Sequence, residues 1–112
     1  MITVKIFLDQ SSRISRFSVT GHAGFAEHGK DIVCAAVSAV AQTAAIGLQH
    51  YFGSAVAVEQ KNGKLTCEIP KLAPEDQIVA EAILMTMYWG LRDIEEQYGE
   101  HIHLRIEGGV LE

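Results

Sequence analysis

The sequence predicts an α/β fold of the α+β type: a two-layer sandwich of order ββαββαβ, with two helices on a five-stranded, mostly antiparallel sheet. Three observations predict it. Short runs alternate apolar and polar residues at period two, two long runs carry apolar residues at helical spacing, and an Asn-Gly pair separates two of the alternating runs. With 112 residues, 48% of them hydrophobic, a single domain over residues 1–112 can bury a core without staples.

The first run, ITVKIFL, puts Ile2, Val4, Ile6 and Leu8 on one face and Thr3 and Lys5 on the other. That is the pattern of a half-buried strand. After the polar turn DQSSR, ISRFSVTG gives a second strand with Phe17 and Val19 on one face, completing a hairpin that delivers the chain to Gly21 and His22. From Asp31 the period changes. Asp31 suits an N-cap, Ile32 to Phe52 a helix rich in alanine, and Gly53 the C-terminal stop. In VAVEQKNGKLTCEI, Asn62-Gly63 predicts a two-residue type I′ turn, which pairs Val58 with Cys67 and Val56 with Ile69. Pro74, followed by Glu75 and Asp76, opens a second helix that runs to about Tyr98 and stops at Gly99. Its expected core stripe is Val79, Ile83, Met87, Ile94 and Tyr98, with Gly90 allowing close approach. HIHLRIE closes the sheet with Ile102, Leu104 and Ile106 inward. Strand order does not follow from the sequence.

Composition excludes several classes of function. A net charge of -5 has the wrong sign for a protein that grips nucleic acid through phosphates, so no direct nucleic-acid partner is expected. Residues 1 to 20 lack a basic start followed by an apolar run, and residues 32 to 48 read as too short and too small-faced to span a bilayer. No membrane partner is expected. Two cysteines without an export signal suggest reduced thiols in a cytoplasm.

The chemistry concentrates in GHAGFAEHGKDIVCAAVS, residues 21 to 38. Counting from an Asp31 N-cap, Cys34 is the third residue of the helix, where free N–H groups and the positive dipole end favour a thiolate. The Asp31 carboxylate opposes a second anion, and a protonated His22 beside the sulfur would resolve that conflict. Such a pair removes the thiol proton and later protonates an amine leaving group, while helix-start amides can hold an oxyanion. The competing reading of Cys34 is a buried, inert cysteine near a helix start. Ser38, four residues on, shares its face and could steady the site, contact substrate, or bond the carbonyl four residues back. Asp31 reads as a cap more readily than as a third catalytic residue.

The string Gly21-His22-Ala23, a glycine-bearing spacer, then Gly29-x-Asp31-Ile32-Val33-Cys34-Ala35-Ala36-Val37-Ser38 resembles the signature of the ribosomal-processing cysteine proteases of the Prp family. Length and element order agree over essentially the whole chain. The resemblance implies His22 as general base and Cys34 as nucleophile, with Asp31 and Ser38 belonging to the motif. It also implies a homodimer, no cofactor, and a mobile loop between His22 and Cys34 over a substrate channel. The implied reaction is removal of a short N-terminal extension from a large-subunit bacterial ribosomal protein. Gly24 and Gly29 in that loop suit closure over a peptide, and Gly21 could be a hinge or only a bend. The rival is a non-enzymatic ribosome-assembly or ribosome-associated binding protein; a thiol redox protein would need a nearby resolving cysteine.

Other features read as structural. His22, His28 and Cys34 do not match the spacing of a common zinc site, and no metal is expected. His101 and His103 fall on the polar face of the last strand, and His50 suits the C-terminal end of the first helix. Cys67 reads as a core residue. Trp89 and Met85 read as core extension in preference to a dimer surface.

Overall fold

In the computed structural model, which describes residues 1–21 and 31–111, the element order is the one expected. Strands β1 (Ile2–Leu8) and β2 (Ile14–Thr20) are followed by helix α1 (Ile32–Phe52), a 3₁₀ turn (Gly53–Ala55), β3 (Ala57–Lys61), β4 (Lys64–Glu68), α2 (Pro74–Gln97) and β5 (Ile102–Glu107). The strands form one sheet in the order β3-β4-β2-β1-β5, in which only β1 and β5 are parallel neighbours.

The inner face of that sheet is the alternate set predicted from the sequence. Ile2, Val4, Ile6, Phe17, Cys67 and Ile102 are all but inaccessible to solvent. Asn62 and Gly63 both have positive φ, 51° and 74°, as a type I′ turn requires. The turn fixes the register, so Val58 pairs with Cys67 as expected; Val56 lies just before the ladder but is buried with Ile69.

Helix α1 has the expected limits. By length and apolar composition the helical stretch Ile32–Ala55 is sufficient to cross a membrane, which corrects the reading of this segment as too short. Its apolarity has a local cause: Val33, Val37, Ala41, Ala44, Ala45 and Leu48 are packed into the core. Helix α2 lies antiparallel to α1, as shown by the pairs Gly90 with Val40 and Gly47 with Ile83. A Cβ at Gly90 would meet Val40 Cγ1 at 3.6 Å, an ordinary contact, so the glycine is not needed for the approach.

The core face of α2 is rotated from the expected one. Ala80, Leu84, Met87, Tyr88 and Leu91 are buried, whereas Val79, Ile83, Ile94 and Tyr98 are only half-buried at its flank. Against alanine-rich α1 and the sheet, the small Ala80 and the flexible Met87 fit the centre of the contact; β-branched residues at the edge still cover apolar surface. Trp89 is 58% exposed, which overturns its assignment to the core, while Met85 packs half-buried against it. His101 precedes β5 and is half-buried in a turn, where its carbonyl accepts from Ile2 N–H; it is not on the polar strand face. His103 is exposed as expected.

Candidate active site

Cys34 is placed by the start of α1. Asp31 has extended φ/ψ, and its Oδ1 accepts from the N–H groups of Val33 at 2.9 Å and Cys34 at 3.0 Å. This is an N-cap that satisfies two of the otherwise orphaned amides of the first turn. Asp31 is buried, and its side chain caps the helix. The same bonds bear on the expected oxyanion site: the amides of Val33 and Cys34 already have Asp31 Oδ1 as acceptor, so this end has fewer open N–H groups than a bare helix terminus.

Cys34 is half-buried and lines a cavity of about 180 Å³. Ile2, Val19 and Leu65 of the sheet form its apolar floor. Val37, Ser38, Ala41 and Gln42 continue the α1 wall from Cys34, and the tip of the β3–β4 hairpin closes the other side. Gly21 lies on the rim at φ +89°, and a Cβ there would overlap the Met1 carbonyl oxygen. At this position, the end of β2, only glycine fits.

Ser38 joins Cys34 in this cavity, and Gln42 Nε2 donates to Ser38 Oγ at 2.6 Å. Gln42 was not singled out by sequence; the signal was its position four residues beyond Ser38 on the same face. Gln60 was missed as well. It occupies the inward parity of β3 after Val56 and Val58, where a polar residue breaks the alternation because it overlooks a cavity and not core. His22, Gly24, Gly29 and His28 lie outside the described residues.

The second cysteine is in the opposite circumstance. Cys67 is inaccessible on the inner face of β4, and burial pushes its thiol from the ordinary 9.0 up to about 11. A group so far from ionisation is a packing residue.

The model of the family described as cysteine protease Prp matches residues 1–103. The ribosomal processing cysteine protease Prp of Bacillus subtilis is 34% identical over 107 residues, covering 93% of this chain and 96% of the relative. That of Staphylococcus aureus is 34% identical over 117 residues, covering 93% and 97%. Among solved structures, the S. aureus protease with a covalently linked product peptide superposes with a TM-score of 0.81 at 30% identity, covering 96% of this chain and all of that one. The same protease with a substrate peptide gives 0.78 at 28% identity. The motif around Cys34, the sheet order that supports it and these relatives agree: the chain belongs to the Prp family of ribosomal-processing cysteine proteases.

Proposed function

We propose that Cys34 is the nucleophile and His22 the general base of an endopeptidase that removes the N-terminal extension of a large-subunit bacterial ribosomal protein. The observation that carries this reading is the position of Cys34, in the first turn of α1 and open to the cavity of about 180 Å³ between that helix and the sheet. The covalently linked product peptide in the S. aureus relative supports a covalent route. His22 accepts the Sγ proton as sulfur attacks the scissile carbonyl, giving a tetrahedral oxyanion. Collapse breaks the C–N bond, and the imidazolium gives its proton to the departing amine, the new N-terminus of the mature ribosomal protein. Water, deprotonated by His22, then attacks the thioester; the extension leaves as a carboxylic acid and the thiol is restored. Ser38, held by Gln42, lines the channel and orients substrate.

The enzyme acts in the cytoplasm as a homodimer, without nucleic-acid or membrane partners. Support for a dimer comes from the outer groove between α1 and α2, about 790 Å³, lined by Val40, Ala44, Gly47, Tyr51, Ile83 and Met87. Tyr51 is 68% exposed beside it, and Trp89 is exposed on the same helix pair. Loop residues 23 to 30, with Gly24 and Gly29, close over the bound peptide.

Incubating the purified protein with a ribosomal protein that carries its extension should give one defined cut, absent with Cys34→Ala and His22→Ala. An uncut extension, or equal cutting by Cys34→Ala, would show the reading to be wrong. Sedimentation of wild type against Tyr51→Glu checks the dimer: the variant should sediment as a monomer.

A further inference from the structure

Strand β3 is the outer strand on the hairpin side of the sheet, and its backbone is not used up by the fold. In a two-residue hairpin the closing pair, Lys61 with Lys64, exchanges both backbone hydrogen bonds. The alternation then makes Glu59 with Thr66 and Ala57 with Glu68 bonded pairs. Val58 and Gln60 consequently direct their N–H and C=O groups to the open edge.

That edge begins where the Cys34 cavity ends, because Gln60 belongs to both. Facing it, α1 presents Cys34, Ser38, Gln42 and Ile46 at four-residue steps, with Gln49 following on the same face. Gln42 shares the cavity wall with Gln60, and Gln49 Nε2 donates to the Val56 carbonyl at 3.3 Å. These two links order the helix face and the strand side by side in opposite directions, both leading away from Cys34. Ile46, 56% exposed on this face, is an apolar residue that the core does not use.

We propose that the peptide substrate binds by strand addition to the free edge of β3, pairing with the backbone of Val58 and Gln60 while alternate side chains face Ser38, Gln42 and Ile46 on α1. The proposal rests on the reading of Cys34 as nucleophile. A chain lying along this edge loses water from its own amides, and an edge strand offers replacement partners at period two. Affinity then comes from main-chain bonds and selectivity from alternate side chains. Exposed edges are usually guarded by charge. Here Glu59 and Lys61 place their side chains on the opposite face from Gln60 and leave the pairing groups of Val58 and Gln60 open.

The test uses a proline that the fold tolerates. Gln60→Pro removes an N–H that makes no bond to β4, a setting in which an edge strand accepts proline; Gln60→Ala removes only the carboxamide. Peptides spanning the wild-type cut are assayed with both variants, and a second series carries a single backbone N-methyl at successive positions. Gln60→Pro should lower kcat/KM at least about tenfold, mainly through KM, with the iodoacetamide reactivity of Cys34 and the melting temperature unchanged. N-methylation should inhibit at alternate positions on one side of the cut. Wild-type cleavage by Gln60→Pro, or equal sensitivity at every N-methyl position, overturns strand addition and leaves the protease reading intact. Should Gln60→Pro fail to fold, the N-methyl series on wild type decides alone. Failure of wild type to cut any extension-bearing peptide overturns the nucleophile assignment, and this proposal with it.

Discussion

Cys34 and Cys67 carry the same thiol into two environments set by different elements. Cys34 stands in the first turn of a helix, half-buried at a cavity wall whose far side is a hairpin tip. Cys67 stands at inward parity in β4, between Phe17 of β2 and Val58 of β3. The helix start offers a capped first turn that opens onto a cavity; the sheet interior offers apolar contact and no water. Residue type alone therefore says nothing of role, and the element that presents the side chain says most of it.

The largest effect that separates the two is catalytic. Cys34→Ala should lower peptide cleavage more than about a thousandfold, while Cys67→Ala should leave kcat/KM within about threefold, since removing a covalent nucleophile eliminates the pathway and trimming a packing residue does not. Active-site titration with a peptide electrophile, followed by mass spectrometry, checks the assignment. Modification at Cys67 would break the comparison.

A second separation is in pH. With the folded-state thiol of Cys67 raised to about 11 from 9.0, folding favours its protonated form. The stabilisation is complete below pH 9 and is lost as pH rises through 11, because the unfolded thiol ionises first. The loss amounts to roughly 2 to 3 kcal/mol over that window. Urea unfolding of wild type and Cys67→Ala at pH 8 to 11 measures it: the difference between the two should shrink as pH rises. A constant difference would mean that Cys67 is not held as a buried neutral thiol. At pH 8, iodoacetamide should label Cys34 at least about a hundredfold faster than Cys67.

How far the two regions were legible in the sequence follows from their causes. Local rules fixed the helix start: Asp31 can cap only the amides that follow it, and Cys34 then falls in the first turn by counting. The Asn-Gly turn fixed the partner of Cys67 in the same way. What depends on tertiary packing was less visible. The α2 stripe was misjudged because several faces of that helix carry apolar residues, and only the shape of α1 and the sheet selects Ala80, Leu84 and Leu91 over Val79 and Ile94. Trp89 is exposed for the same reason. Gln60 was passed over because its meaning lies in strand order, which places β3 at the edge beside α1.

The smallest effect concerns Asp31, which caps the turn that carries Cys34. Loss of its two amide bonds in Asp31→Ala should cost about 1 kcal/mol of stability, the usual value of an N-cap. Asparagine keeps a side-chain oxygen in the same place and is as good a cap, so Asp31→Asn should lie within about 0.5 kcal/mol of wild type. The pair separates two jobs that the aspartate could hold. If Asp31 serves Cys34 only by fixing the first turn, Asp31→Asn keeps kcat/KM within about threefold and Asp31→Ala lowers it in step with its melting temperature. If Asp31→Asn keeps its stability but loses about tenfold or more in kcat/KM, the carboxylate charge acts on the chemistry itself. Its role would then be electrostatic, and the contrast with Cys67 would extend from the element that holds each cysteine to the charge beside it.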